Sequence, residues 1–375
     1  MVSYARLLWS ILLLVAAGLS ANGAELTMWS LPVADLYPAG IALDGSMVYA
    51  AAAGGMETYR LDTDANVFRT WGVGDEPQDV VVVDGIPFTT VRSGSFVVSF
   101  HPDSLATTTS TVPFPDVSVG EIHRGLDTDE GHAVLWIAEM GAAGFLRFEH
   151  DPLLSPTPFG HPQDREVDSS VISIDVTVVE VGHEIYDYDT SLIPDPEPFA
   201  AGTTSPPYTE WRLSLGDDVR VTDIAAAHDG TLWISAGLPF LLRYDPVAET
   251  LQWLETIQNV RIFQGLLPAP DGSIWLSNLV EGSIGHLNAK TGLSEVWRIP
   301  GTEEVYDMAF DGQGNVWYTD RVGDAIGWLS PQNGTADVFL LPEGSEPLYV
   351  AVGDTGDVWF SAGSGNFLGR LKVRP

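Results

Sequence analysis

The 375 residues are 45% apolar and 18% charged, a balance that supports a packed core and excludes a disordered chain. A formal charge of −34, from 51 Asp and Glu against 17 Lys and Arg, excludes nucleic acid as a partner and gives anionic lipid no clustered basic residues to hold. With no cysteine, disulfides and thiolate chemistry are excluded too, and the core must hold the fold alone.

Residues 1–23 read as a secretory signal peptide. Arg6 is the only charge, Leu7 to Leu19 form an apolar run, and Ala21-Asn22-Gly23 supplies small residues for cleavage. The run falls short of the roughly 20 residues that a bilayer span needs. Cleavage is the expected fate; an uncleaved anchor is the alternative and the one route to a membrane. Residues 24–375 are expected to be secreted, periplasmic or held at the cell surface.

A repeat follows. Leu26-Thr-Met-Trp-Ser-Leu-Pro32 has the form of an outer strand that recurs at Thr209-Glu-Trp-Arg-Leu213, Glu295-Val-Trp-Arg-Ile-Pro300 and Asp337-Val-Phe-Leu-Leu-Pro342. Asp44-Gly45 precedes Val48, Asp84-Gly85 precedes Phe88, and a longer turn, Asp129-Glu-Gly131, precedes Trp136. Trp233, Trp275, Trp317 and Trp359 then follow at intervals of 42 residues, each after a Gly-containing turn such as Asp229-Gly-Thr-Leu or Asp271-Gly-Ser-Ile. Asp-Gly and Gly-Asn are hairpin signals because these residues tolerate positive φ. The best-marked unit reads as four strands, at 306–310, 315–319, 325–329 and 336–341. Seven such units predict an all-β, seven-bladed β-propeller with four-stranded blades and no helix. The repeated Trp positions are read as core between blades. The last unit stops after a third strand at 367–373, so Leu26–Leu31 is expected to close it as the outer strand.

One long excursion, residues 151–207, separates the third strand of blade three from its outer strand at 208–213. Pro152, Pro156, Pro158, Pro194, Pro196, Pro198, Pro206 and Pro207 flank a β-rich pair at 171–181 and 184–188. It is expected to form a surface hairpin, either decorative or a binding element.

In a propeller, residues before the first strand and after the second share one mouth of the central channel. The first set reads Gly40, Asp79, Gly125, Asp223, Gly265, Asp307 and Tyr349; the second reads Ala51, Val91, Glu139, Ala236, Asn278, Asp320 and Ala362. Asp79, Glu139, Asp223, Asn278, Asp307 and Asp320 are therefore candidate ligands for Mg²⁺ or Ca²⁺, hard cations that take oxygen donors. Asp before a strand also caps turns through its own backbone, which is the competing explanation. His123, beside Glu121 and Arg124 and near Glu139, is the candidate acid/base pair. His132, His228 and His286 fall where surface residues are expected. No nucleophile elbow, phosphate loop or metalloprotease helix is present.

The unit from Gly265 to Leu287, with Asp-Gly-Ser-Ile-Trp-Leu-Ser-Asn278 and Ser283-Ile-Gly-His-Leu287, resembles the repeat of the streptogramin B (virginiamycin B) lyase family, as do Ala325-Ile-Gly-Trp-Leu329 and Phe367-Leu-Gly-Arg-Leu371. The resemblance covers 26–150 and 208–375. It implies seven blades and, for the family's characterised members, Mg²⁺-dependent elimination that opens a cyclic depsipeptide, with a histidine as base. Where the family places that histidine, between Pro and Gly before strand one, this chain has Ala39, Gln78, Arg124, Thr222, Gln264, Tyr306 and Leu348. Glu139 and Asp320 match the family's Glu after strand two, and His123 lies one place from the expected position.

Two functions follow as expectations. One is an extracytoplasmic binding or assembly module that takes a small molecule or protein at the channel mouth or at the 151–207 insertion. The other is a metal-dependent C–O lyase or lactonase acting on a cyclic ester.

Overall fold

The computed structural model describes residues 24–104, 106–114, 117–126, 133–140, 143–149, 165–167, 169–174, 176–187, 197–213, 220–236, 240–255, 265–279, 281–291 and 293–373, in which every regular element is a β-strand. The proposed signal segment lies outside these residues. Seven strands begin the seven antiparallel sheets: β2 (Pro38–Asp44), β6 (Pro77–Val83), β10 (Val119–Leu126), β20 (Asp223–Ala226), β24 (Leu266–Pro268), β28 (Val305–Phe310) and β32 (Pro347–Val352). Each neighbours the next, and β32 returns to β2. The fold is the expected seven-bladed propeller, and these inner strands wall its channel. Among the described residues no helix is long and apolar enough to cross a membrane.

The repeated phrases have local causes. In blade six, Asp311 accepts hydrogen bonds from the backbone N–H of Gln313 and of Asn315, both at 2.9 Å, and so closes the turn between β28 and β29 (Val316–Asp320). Asp229 and Asp271 do the same for Thr231 and Ser273. In two of these phrases, Ala325-Ile-Gly-Trp-Leu and Phe367-Leu-Gly-Arg-Leu, the glycine makes room for an aromatic ring. A Cβ at Gly327 would strike the Tyr318 ring, and one at Gly369 would strike Phe360. The Trp positions are core as expected: Val48, Phe88, Trp136, Trp233, Trp275, Trp317 and Trp359 are all buried between blades.

The ring closes as the sequence predicts. β1 (Ala24–Ser30) pairs antiparallel with β34 (Phe367–Val373), in a register that sets Leu26 opposite Leu371 and Trp29 opposite Leu368. The Trp29 ring stacks on Trp359 at 5.3 Å.

The insertion overturns one expectation and adds to another. It is not a hairpin, and most blades have more than four strands. Its described parts are β13 (Arg165–Glu166), β14 (Ser169–Ile174), β15 (Val176–Glu180), β16 (Gly182–Asp187), β17 (Glu197–Pro198) and β18 (Thr203–Ser205). They add a fifth strand to blades one, seven, six, five, four and three in that order. The insertion leaves blade three, passes round the rim against the order of the blades, and comes back to blade three. Among the described residues blade two alone keeps four strands, ending at β9 (Thr107–Thr111). An isolated two-stranded hairpin is marginal in water, whereas the outer strand of each blade offers a row of unpaired amides and carbonyls. The run read as one strand at 171–181 therefore divides between blades seven and six.

Candidate functional site in the channel

The channel site is built by carboxylates at the start of inner strands. Asp79 accepts the N–H of Val80 at 2.8 Å and reaches across to the N–H of Ile122 at 3.1 Å. Asp223 repeats this with Ile224 at 2.7 Å and Leu266 at 2.7 Å, and Asp307 accepts from Val350 at 2.8 Å. Each bond across a blade boundary spans 43 residues, so the three aspartates tie blade two to three, four to five and six to seven. The turn-capping alternative is thus half right: these side chains do bind backbone, but on the neighbouring blade.

That geometry also fixes the repeat register. The residue before each receiving amide is the next blade's equivalent, which makes Glu121, rather than Gly125, the partner of Asp79 in the ring. Trp136 lies 15 residues after Glu121, whereas Trp233 lies 10 after Asp223 and Trp317 lies 10 after Asp307. Counting back from Trp136 to Gly125 therefore stops four positions short. Glu121 and His123, two residues apart on a strand, point to the same side, and both line a cavity of about 290 Å³.

Asp79, Glu121, Asp223 and Asp307 line this cavity with His123, Tyr306 and Tyr349, while Ile41, Val81, Ala225, Leu266, Met308 and Val350 form its apolar wall. His123 Nε2 lies 3.4 Å from Asp223 Oδ1. The Tyr349 hydroxyl donates a short hydrogen bond to Glu121, and the Tyr306 ring meets Tyr349 edge to face at 5.7 Å. One ligand atom from each of Glu121, His123 and Asp223 falls within 4.8 Å of the others. The Arg124 side chain and Gln264 lie outside the described residues.

Burial raises all four carboxyl groups, and repulsion adds to it at Glu121 and Asp307. Asp307 is pushed up to about 7 by burial, against hydrogen bonds from Val350 and Met308 amides and with Asp223 and Asp79 adding repulsion. Burial raises Glu121 well above the carboxylate range, and the charges of Asp79 and Asp223 add to it. Asp79 and Asp223 are also raised by burial, which His123 and backbone amides only partly offset. For His123 burial acts downward, but the hydrogen bond and charge of Asp223, with Asp79 and Asp307 behind, more than offset it and favour the imidazolium.

The other three predicted ligands stand elsewhere. Asp320, buried at the end of β29, accepts the N–H groups of Glu303, Glu304 and Gly323 at 2.9–3.0 Å and shapes the loop before β28. Asn278 donates to Ser283 Oγ at 3.0 Å inside blade five. Glu139 is buried at the end of β11 (Ala133–Glu139), with both carboxyl oxygens unpartnered among the described residues. Burial, with the charge of Glu210 added, pushes it up to about 8. None of the three lines the cavity. Asp320→Ala is expected to destabilise by about 2–5 kcal/mol through three orphaned amides, measured by denaturant unfolding, while leaving any cation binding in the channel unchanged.

No protein-family model matches the chain, and no curated protein matches it in sequence. Solved structures do match it. A streptogramin B lyase structure superposes with a TM-score of 0.69 at 16% identity, covering 94% of this chain and 98% of that one. Virginiamycin B lyase from Staphylococcus aureus gives 0.67 at 15% identity, covering 93% and 99%. The extracellular domain of a one component system candidate from B. thetaiotaomicron gives 0.58 at 11% identity, over 93% of this chain and 40% of that one. The chain is thus similar in fold to streptogramin lyases and to propeller domains of other kinds.

Proposed function

We propose that this protein is an extracytoplasmic binding module whose channel holds a divalent cation, Mg²⁺ or Ca²⁺, and takes a small molecule beside it. The observation that carries this reading is the convergence of four carboxylates and one imidazole on a single cavity. The donor set fits: Glu121, His123 and Asp223 offer ligand atoms close enough to share one ion, and Asp79 and Asp307 add negative charge around them. Oxygen donors suit both cations, and repulsion among buried carboxylates is relieved when a cation arrives. Bound there, the ion would polarise a carbonyl or ester oxygen of the ligand. Tyr349 holds Glu121 in place through its hydroxyl, Asp223 orients the His123 ring, and the apolar wall receives the uncharged part of the ligand. The signal-like residues 1–23 support export, as does the similarity to an extracellular domain.

Calorimetric titration of Mg²⁺ and of Ca²⁺ at pH 8 tests the reading. Saturable binding of at least one ion is expected, weakened 100-fold or more in the Glu121→Gln plus Asp223→Asn variant. No binding to the native chain, or undiminished binding to the double variant, overturns it.

A second reading, a lyase or lactonase acting on a cyclic ester, draws on His123, which stands in the cavity against Asp223 as a base would. A structure of virginiamycin B lyase from Staphylococcus aureus with quinupristin is of a catalytically inactive His-to-Ala variant. Glu139, outside the cavity, has no direct part in this reading. Ring opening of a cyclic depsipeptide, abolished in His123→Ala, would decide for it; no turnover by the native chain would leave the binding module.

A further inference from the structure

We infer that β14, β15 and β16 form a strap that detaches from the rim as one unit while the seven-bladed ring stays closed. The three strands follow one another along the chain and pair with β1, β31 (Thr335–Leu340) and β27 (Leu293–Arg298), the outer strands of blades seven, six and five. Their grip is mostly backbone hydrogen bonding. Val171, Val178 and Ile185 are 57%, 64% and 63% exposed, whereas Leu26 and Trp29 on the ring-closing strand are at 0% and 1%.

Few side chains of the strap reach inward. Ile174 and Val176 pack partly against the core between blades six and seven, and Val179 and Val181 against that between five and six. His183 lies flat on Trp297 at 4.8 Å and meets Glu295 Oε1 at 3.2 Å. The Glu184–Arg298 pair, 3.8 Å apart and well exposed, adds little. Elements with few buried apolar contacts and solvent-facing hydrogen bonds open at lower free energy than the core.

The strands act together because of their spacing. Only one residue separates each from the next, so docking one holds its neighbour near its site. The ring does not depend on them: β1 stays on β34, and the inner strands keep their own order, whether or not the rim is covered. Release would turn three paired strand edges into open ones.

Native-state hydrogen exchange under low denaturant tests this. Amides of the three strap strands are expected to exchange at least tenfold faster than those of β34, with one common denaturant dependence. A V178C plus D337C variant, in a chain with no other cysteine, joins facing positions of β15 and β31. On oxidation it is expected to slow exchange in β14 and β16 as well as in β15. Strap amides that exchange only with global unfolding, strands that open independently, or a crosslink felt in β15 alone would each overturn the inference.

Discussion

Metal-free protein is expected to lose thermal stability as the pH rises from 5 to 8.5, and a divalent cation is expected to restore the part due to the channel carboxylates at pH 8.5 but not at pH 5. Asp307, held at about 7 by burial, and Glu139, pushed up to about 8 by burial and then Glu210, keep their protons in the folded chain long after they would lose them unfolded. A carboxyl whose folded pKa is raised stabilises the fold fully below its unfolded value, and this stabilisation disappears as the pH climbs through the folded value. His123, also raised, acts in the same direction. The window therefore runs from about pH 4 to 8, and Asp307 and Glu139 each contribute on the order of a few kcal/mol, or roughly 10 °C together. The raised carboxyl groups let protons compete with the ion at low pH, and Asp307, held at about 7, has lost its proton by pH 8.5. Scanning calorimetry at both pH values, with EDTA and with Mg²⁺ or Ca²⁺, measures this. A melting temperature that rises with pH in EDTA, or a cation effect equal at both pH values, would contradict it.

Removing residues 24–32 is expected to lower the melting temperature by more than about 10 °C. β1 is the outer strand of blade seven in the ring, and it carries Leu26 and Trp29 into the core beside the nearly buried Leu31. Burying each of these side chains is worth about 1.5–3 kcal/mol, so together they approach the ~5–15 kcal/mol that holds a typical domain folded. Their loss also leaves β34 with an open edge and strips β14 of its partner. A variant that keeps its melting temperature would show that the ring closes by other contacts.

The ring could be read from the chain because its cause is local. Trp at a fixed interval, Asp-Gly turns and a last unit lacking a strand each specify one feature of a blade, and β1 on β34 is what the missing strand implied. The strap could not be read in this way. The partners of β14 to β16 lie on blades seven, six and five, and nothing in Val171-Ile-Ser-Ile or Val176-Thr-Val-Val names a partner.

The site was legible in part. Asp79, Asp223 and Asp307 were placed by their position before strand one. Glu121 was displaced to Gly125 because in blade three the stretch from the first strand to the Trp is longer, 15 residues from Glu121 to Trp136 against 10 from Asp223 to Trp233. The signal that could have placed it was the 43-residue spacing from Asp79 to Ile122, shared with the pairs from Asp223 to Leu266 and from Asp307 to Val350. Glu139, Asn278 and Asp320 end strand two, three residues after the Trp as predicted, but their side chains turn into the blades, where backbone amides, Ser283 or burial take them up.

Diffraction from crystals soaked in Mn²⁺ at pH 8, recorded where manganese scatters anomalously, tests the cation proposal most directly. One anomalous peak is expected in the channel, among Glu121, His123 and Asp223. An empty channel at full Mn²⁺ occupancy elsewhere, or peaks only on the acidic outer surface, would contradict it.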